Sequence, residues 1–110
     1  MKLKDILTLP ECRVLAEGDP QRELSRVFCC DLLSIAMGKA PPQGVSLTVM
    51  GNRNTLAVAS LTDTACIVLA EGVSLDEGSL AKAEEEGIAV LSTDLPSFDI
   101  ALEIYQAGFA

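Results

Sequence analysis

One arginine in a glycine-led polar turn, Gly51-Asn52-Arg53-Asn54, four cysteines, and carboxylates that flank apolar runs are the residues of this chain that bear on chemistry. Each group answers to a different kind of site. An arginine beside free backbone amides suits a small anion. Thiolates suit a soft metal or electron transfer, and paired carboxylates suit proton transfer.

What is missing narrows the choice. The chain has no histidine, which removes Ser-His-Asp and Cys-His catalysis, histidine-bearing zinc sites and the commonest base near neutrality. It contains neither GxGxxG nor GxxxxGK[ST], which argues against a kinase or a dinucleotide-dependent oxidoreductase.

Cys12, Cys29, Cys30 and Cys66 form no CxxC pair. The adjacent Cys29 and Cys30 would point to opposite faces of a strand, so they cannot share a tetrahedral site unless further chains contribute ligands. They read as small hydrophobes in apolar runs, and we expect thiols, no disulfide, no metal and no cofactor. Asp31, Asp63, Glu71 and Asp94 flank predicted strands or helices, where capping and loop solvation account for them without acid/base catalysis.

These residues have to be placed by the elements around them. Leu3, Ile6 and Leu7 have helical spacing up to Pro10, and CRVLA at Cys12–Ala16 predicts a strand. Gly18–Pro20 is a turn, Val27–Cys30 a second strand, and the run from Asp31 to Gly38 a helix. Pro41 and Pro42 make Ala40–Gly44 a linker between elements. A regular alternation follows: VSLTVM as strand, NTLAVASL as helix, CIVLA as strand, SLDEGSLAKAEEEG as helix, AVLST as strand and PSFDIALEIYQAG as helix. Phe98, Ile100, Leu102, Ile104 and Tyr105 are expected on the buried side of the last helix. Gly87 is expected to stop the helix before it, and the residues around Pro96 to cap the one after.

Near-continuous apolar strands joined by helices predict an α/β fold: one domain over residues 1–110, with a three-layer, open, mostly parallel sheet and helices on both faces. In such sheets ligands bind beyond the carboxyl ends of the strands. Those ends carry Gly51, Asn52, Arg53 and Asn54, then Glu71 and Gly72, then Ser92, Thr93 and Asp94. Arg53 is the one cation among these loops, so a small anion is the favoured guest, opposed in part by Glu71 and Asp94. The same four residues around Arg53 would equally serve as a tight strand-to-helix turn with an asparagine cap.

Sixteen acidic against eight basic residues give a formal charge of -8, and the cations are scattered along the chain. This balance repels the polyphosphate backbone of a nucleic acid, and Phe28, Phe98, Phe109 and Tyr105 make no stacking platform, so nucleic acid is not expected. The amino-terminal residues lack a signal-peptide core and no run approaches a membrane span, which with the cysteine usage points to the cytoplasm and to no membrane partner.

The pattern resembles the DRTGG domain family, a cytoplasmic module similar to the amino-terminal domain of bacterial HPr kinase/phosphorylase. The resemblance runs through the Gly18-Asp19 turn and the VFCCDLL element that follows, the loop MGNRNT, the strand ending LAEG, and the closing GIAVLSTDLPSFDIAL. The family is named for an Asp-Arg pair and a Thr-Gly-Gly triplet. Asn52-Arg53 and Ala70-Glu71-Gly72 occupy those places here, with Arg53 and Gly72 the strict matches. The resemblance implies a module usually attached to enzymes, including phosphate acetyltransferases and CBS-containing pyrophosphatases, that contributes association or regulation without chemistry. Standalone relatives in anaerobic bacteria, often encoded near iron-only hydrogenases, imply a partner enzyme in redox or energy metabolism.

The resulting expectation is a non-catalytic regulatory or scaffolding module, a homodimer that uses LLSIAMGKA with Met37 as an adaptable contact. The alternatives are a sensor of an anion or nucleotide at Arg53 and its neighbouring loops, and a metal-carrying accessory that uses the cysteines.

Overall fold

Strand side chains point alternately to opposite faces, and in the centre of this sheet both faces are apolar. Cys66, Val68 and Ala70 pack on one side and Ile67 and Leu69 on the other, so a single short run feeds two cores. The computed structural model describes residues 1–109. Its elements are α1 (Lys4–Leu7), β1 (Cys12–Ala16), β2 (Val27–Cys29), α2 (Leu33–Lys39), β3 (Val45–Thr48), α3 (Arg53–Leu61), β4 (Cys66–Leu69), α4 (Glu77–Glu86), β5 (Ala89–Thr93) and α5 (Ser97–Gly108).

The five strands lie in the order β1-β5-β4-β3-β2. β2, β3, β4 and β5 are parallel neighbours, and β1 closes the β5 edge antiparallel, which gives the mostly parallel sheet that the sequence predicts. Parallel neighbours need a crossover, and α3 and α4 supply it between β3, β4 and β5. One core joins Val45, Leu47, Val68 and Leu91 to Leu3 and Ile6 around α1 and to Ile100 and Ile104 of α5. The other joins Ile67, Leu69 and Val90 to Leu56 and Ala59 of α3 and Ala83 of α4. Helices thus cover both faces. α2 packs against α3 beside the β2 edge.

Several element boundaries differ from expectation. The first helix is one turn, Lys4–Leu7, and the strand after the proline linker stops at Thr48, so Val49 and Met50 belong to the loop. The second helix starts at Leu33 without a side-chain cap, and β2 ends at Cys29. Ile100 and Ile104 of α5 are fully buried, but Phe98, Leu102 and Tyr105 are exposed at 71%, 40% and 49%. Two residues along an α-helix span about 200°, so Phe98 and Leu102 fall on the far side from Ile100, and an apolar residue type did not decide the face. Gly87 ends α4 in the left-handed conformation, φ 71, as expected.

The two ends of the described chain meet. The Leu24 amide donates to the Met1 carbonyl at 2.8 Å. A β carbon on Gly108 would lie 2.5 Å from the Met1 sulfur.

Candidate functional site

The loops after β3, β4 and β5 meet at the carboxyl edge of the parallel strands, tied together by backbone as much as by side chains. Gly51 lies so close to the segment after β4 that a β carbon there would stand 2.1 Å from the Ser74 carbonyl oxygen. Only glycine fits that approach.

Asn52 is the N-cap of α3, and its side-chain oxygen accepts the amides of Asn54 and Thr55 at 2.9 and 3.2 Å. The cap reading of this turn is therefore realised, and the two amides it uses are not open to an anion. Arg53 is the first helical residue and is exposed. Among the described residues it makes no side-chain hydrogen bond or ion pair.

Behind this turn, Thr48 at the end of β3 donates its hydroxyl to Asp31, and Asp31 also accepts the Val49 amide at 3.4 Å. The Thr48 hydroxyl in turn accepts the Met50 amide at 3.0 Å. Asp31 thus fixes the path from β3 towards Gly51.

Glu71 and Gly72 form a turn in which both residues have positive φ, 60 and 73. A non-glycine residue in that region is held there by its surroundings. The Glu71 amide donates to Leu95 O and the Gly72 amide to Thr93 O, each at 2.9 Å, and the Glu71 carboxylate accepts the Ser97 amide at 3.2 Å. The cap of α5 therefore comes from Glu71, across the neighbouring loop, and Pro96 at the N-cap position supplies no side-chain bond. The residues before Pro96 act locally, the Thr93 hydroxyl accepting the Leu95 amide at 3.2 Å.

Ser92 and Thr93 are buried, whereas Asp94 is exposed. Because β1 runs antiparallel to β5, Arg13 lies opposite Ser92. The Arg13 guanidinium donates to the Ser92 hydroxyl at 3.3 Å and pairs with Asp94 at 3.3 Å. Both charged partners are more than half exposed, so the pair adds little stability and can be exchanged for a ligand. The edge therefore carries a second cation besides Arg53. Sequence reasoning missed Arg13 because its position depends on a strand direction that periodicity does not encode.

The predicted residues are thus brought to one edge, though not into one cluster. Gly51 touches the segment after β4, and Glu71–Gly72 is bonded to Thr93–Ser97. No hydrogen bond or ion pair among the described residues joins Arg53 to Glu71, Ser92, Thr93 or Asp94. The groups open to a ligand are Arg53, Asn54, Glu71, Gly72, Asp94 and the newly found Arg13.

The cysteines are separate free thiols. Burial, with Glu11 and Glu103 nearby, pushes Cys12 up to about 11. Burial also raises Cys66, and it raises Cys29 together with Asp31. None of these three environments favours a thiolate. No cluster of three or more cysteine and carboxylate residues among the described residues could hold a metal ion. Among the described residues no helix is long and apolar enough to cross a membrane.

A crystal structure of the CBS and DRTGG domains of the regulatory region of Clostridium perfringens pyrophosphatase, complexed with the activator diadenosine tetraphosphate, has a similar fold. Its TM-score is 0.77 at 14% sequence identity, over 96% of this chain and 46% of that one. The chain thus spans less than half the length of that protein fragment. No curated protein matches it. The sequence model of the DRTGG domain matches residues 5–107, which takes in every element but the first residue of α1 and the last of α5. With the five-stranded sheet and the Asn52-Arg53 and Glu71-Gly72 turns at its carboxyl edge, the chain belongs to the DRTGG domain family.

Proposed function

We propose that this chain is a non-catalytic regulatory or scaffolding module of the cytoplasm, acting through self-association and through a partner enzyme of redox or energy metabolism. The observation that carries the reading is the exposed apolar side chains at and around α2. Leu32 at its N-cap, and Ile35 and Met37 within it, are exposed at 60%, 43% and 45%, beside the β2 edge. A short helix and cap that leave three large apolar side chains in water suit a surface covered by another chain. The similar fold within the regulatory region of a pyrophosphatase supports a regulatory role, and the lack of histidine supports a role without chemistry.

Sedimentation velocity of the purified chain tests self-association. A dimer that dissociates in Ile35→Lys and Met37→Glu is the expected result, and a wild-type monomer at high concentration overturns it. Affinity capture from the native cytoplasm with wild type and Ile35→Lys then identifies the enzyme whose retention depends on this face.

A second reading is favoured by the two cations at the strand-end edge. Here Gly51, Asn52, Arg53, Asn54, Glu71, Gly72, Ser92, Thr93 and Asp94, joined by Arg13, form a sensor site for a small anion or nucleotide. A ligand phosphate would take Arg13 from Asp94, linking occupancy to the position of β1 against β5. Calorimetric titration with nucleotides is the test, with binding lost in Arg13→Ala and a flat wild-type trace as the result against it.

A further inference from the structure

α3 and α4 leave a groove of about 650 Å³ between them, lined by Arg53, Leu56 and Ala57 on one side and by Ser79, Lys82 and Glu86 on the other. Its size lies within the range of small-molecule sites. Its charged groups differ in what they already do. Asp76 at one end accepts the amide and hydroxyl of Ser79 at 2.8 and 3.0 Å, which holds its carboxyl below the usual range. Glu86 at the other end accepts the Ser60 hydroxyl at 2.6 Å and thereby bridges the two helices. Both carboxylates are thus committed to protein donors. Arg53 and Lys82 are exposed and make no side-chain hydrogen bond or ion pair among the described residues. The groove is also lined by Ala57, which is exposed, and by the edge of the buried Leu56.

We propose that this groove binds a nucleoside oligophosphate, with Arg53 and Lys82 holding different phosphoryl groups of one chain and the organic body lying against Leu56 and Ala57. Two unpaired cations on facing helices suit an anion with charge at more than one point. The exposed Ala57 beside them favours an ester over an inorganic ion. The proposal shares Arg53 with the ligand-sensing reading and otherwise rests on different residues. It moves the ligand from the loop edge to the helical face.

Titration calorimetry of the full chain at low salt with ATP, inorganic phosphate and adenosine tests it. ATP is expected to bind at least tenfold more tightly than either fragment, and Lys82→Glu and Arg53→Ala each to weaken ATP at least tenfold, while Arg13→Ala changes it less than twofold. Lys82 is exposed on a helix surface, so a matching circular dichroism melt shows that Lys82→Glu is folded. No ATP binding by wild type overturns the proposal, as does equal affinity for ATP and inorganic phosphate or for ATP and adenosine. Binding lost in Arg13→Ala but kept in Lys82→Glu also overturns it, and in that case leaves the strand-edge sensor standing.

Discussion

The carboxylate of Glu71, two residues beyond the end of the central strand β4, accepts the backbone amide of Ser97, the first residue of the final helix, at 3.2 Å. One side chain thereby couples the β4 loop to α5. The backbone bonds from Glu71 and Gly72 to Leu95 and Thr93 make the same connection from the other direction.

Replacing Glu71 separates its two effects. Glu71→Ala loses the cap and keeps a side chain at φ 60, whereas Glu71→Gly loses the cap and relieves the backbone. Glu71→Gly should therefore be more stable than Glu71→Ala by about 1 kcal/mol in urea unfolding. Equal stabilities would show that the left-handed turn carries no strain.

Gly51→Ala places a methyl 2.1 Å from a backbone oxygen that cannot rotate away. The expected loss is about 2 kcal/mol, with the loop between β4 and α4 displaced. Gly72→Ala meets only the Asp94 carboxylate at 3.3 Å, but at φ +73 it should cost about 1 kcal/mol, through backbone conformation. Chemical denaturation of the two variants distinguishes the causes, and the order Gly51→Ala worse than Gly72→Ala is the checkable claim.

Glu103 on α5 is held above the ordinary carboxylate range by its hydrogen bond with Glu11, then by desolvation and by the charges of Glu11 and Asp99. The folded chain therefore binds this proton more tightly than the unfolded chain does. Stability from the pair is complete at low pH and is lost as pH rises through the raised value. Glu103→Gln should melt above wild type at neutral pH, with the gap closing towards about pH 4. A gap that does not change with pH, measured by circular dichroism melts from acid to neutral, would refute the shared proton.

Cys66 is fully buried and its thiol is raised by burial, with Cys12 as a smaller cause. Its modification by a thiol reagent should require global unfolding, so its rate should climb with urea in step with the unfolding equilibrium. The exposed Cys29 should react with the native chain and show no such dependence at low urea. Mass mapping of labelled peptides reads both, and fast native labelling of Cys66 contradicts the packing around β4.

The parts of this fold that sequence made legible are those where local pattern and burial agree. β4 and β5 carry apolar residues on both faces because helices cover both, β3 is apolar on the face of Val45 and Leu47, and the small residues of α3 match its close seat on the sheet. The direction of β1 was not legible, since it depends on a pairing with β5 far along the chain. Arg13 entered the site only through that pairing, as Asp31 did through Thr48. Gly51 and Asn52 were readable as a turn and cap, because both roles are local. In α5 two apolar lines run along one helix, and composition alone could not choose which of them, Ile100–Ile104 or Phe98–Tyr105, faces the sheet.

The contact between Met1 and Gly108 has a bearing on protein architecture. A fold whose first residue packs against Gly108, near the end of the last helix, keeps the two ends of the described residues close together, a spacing that suits insertion into a surface loop of a host protein. For the same reason a short tether across that point should permit circular permutation, and ordinary gene fusion could move this module between enzymes.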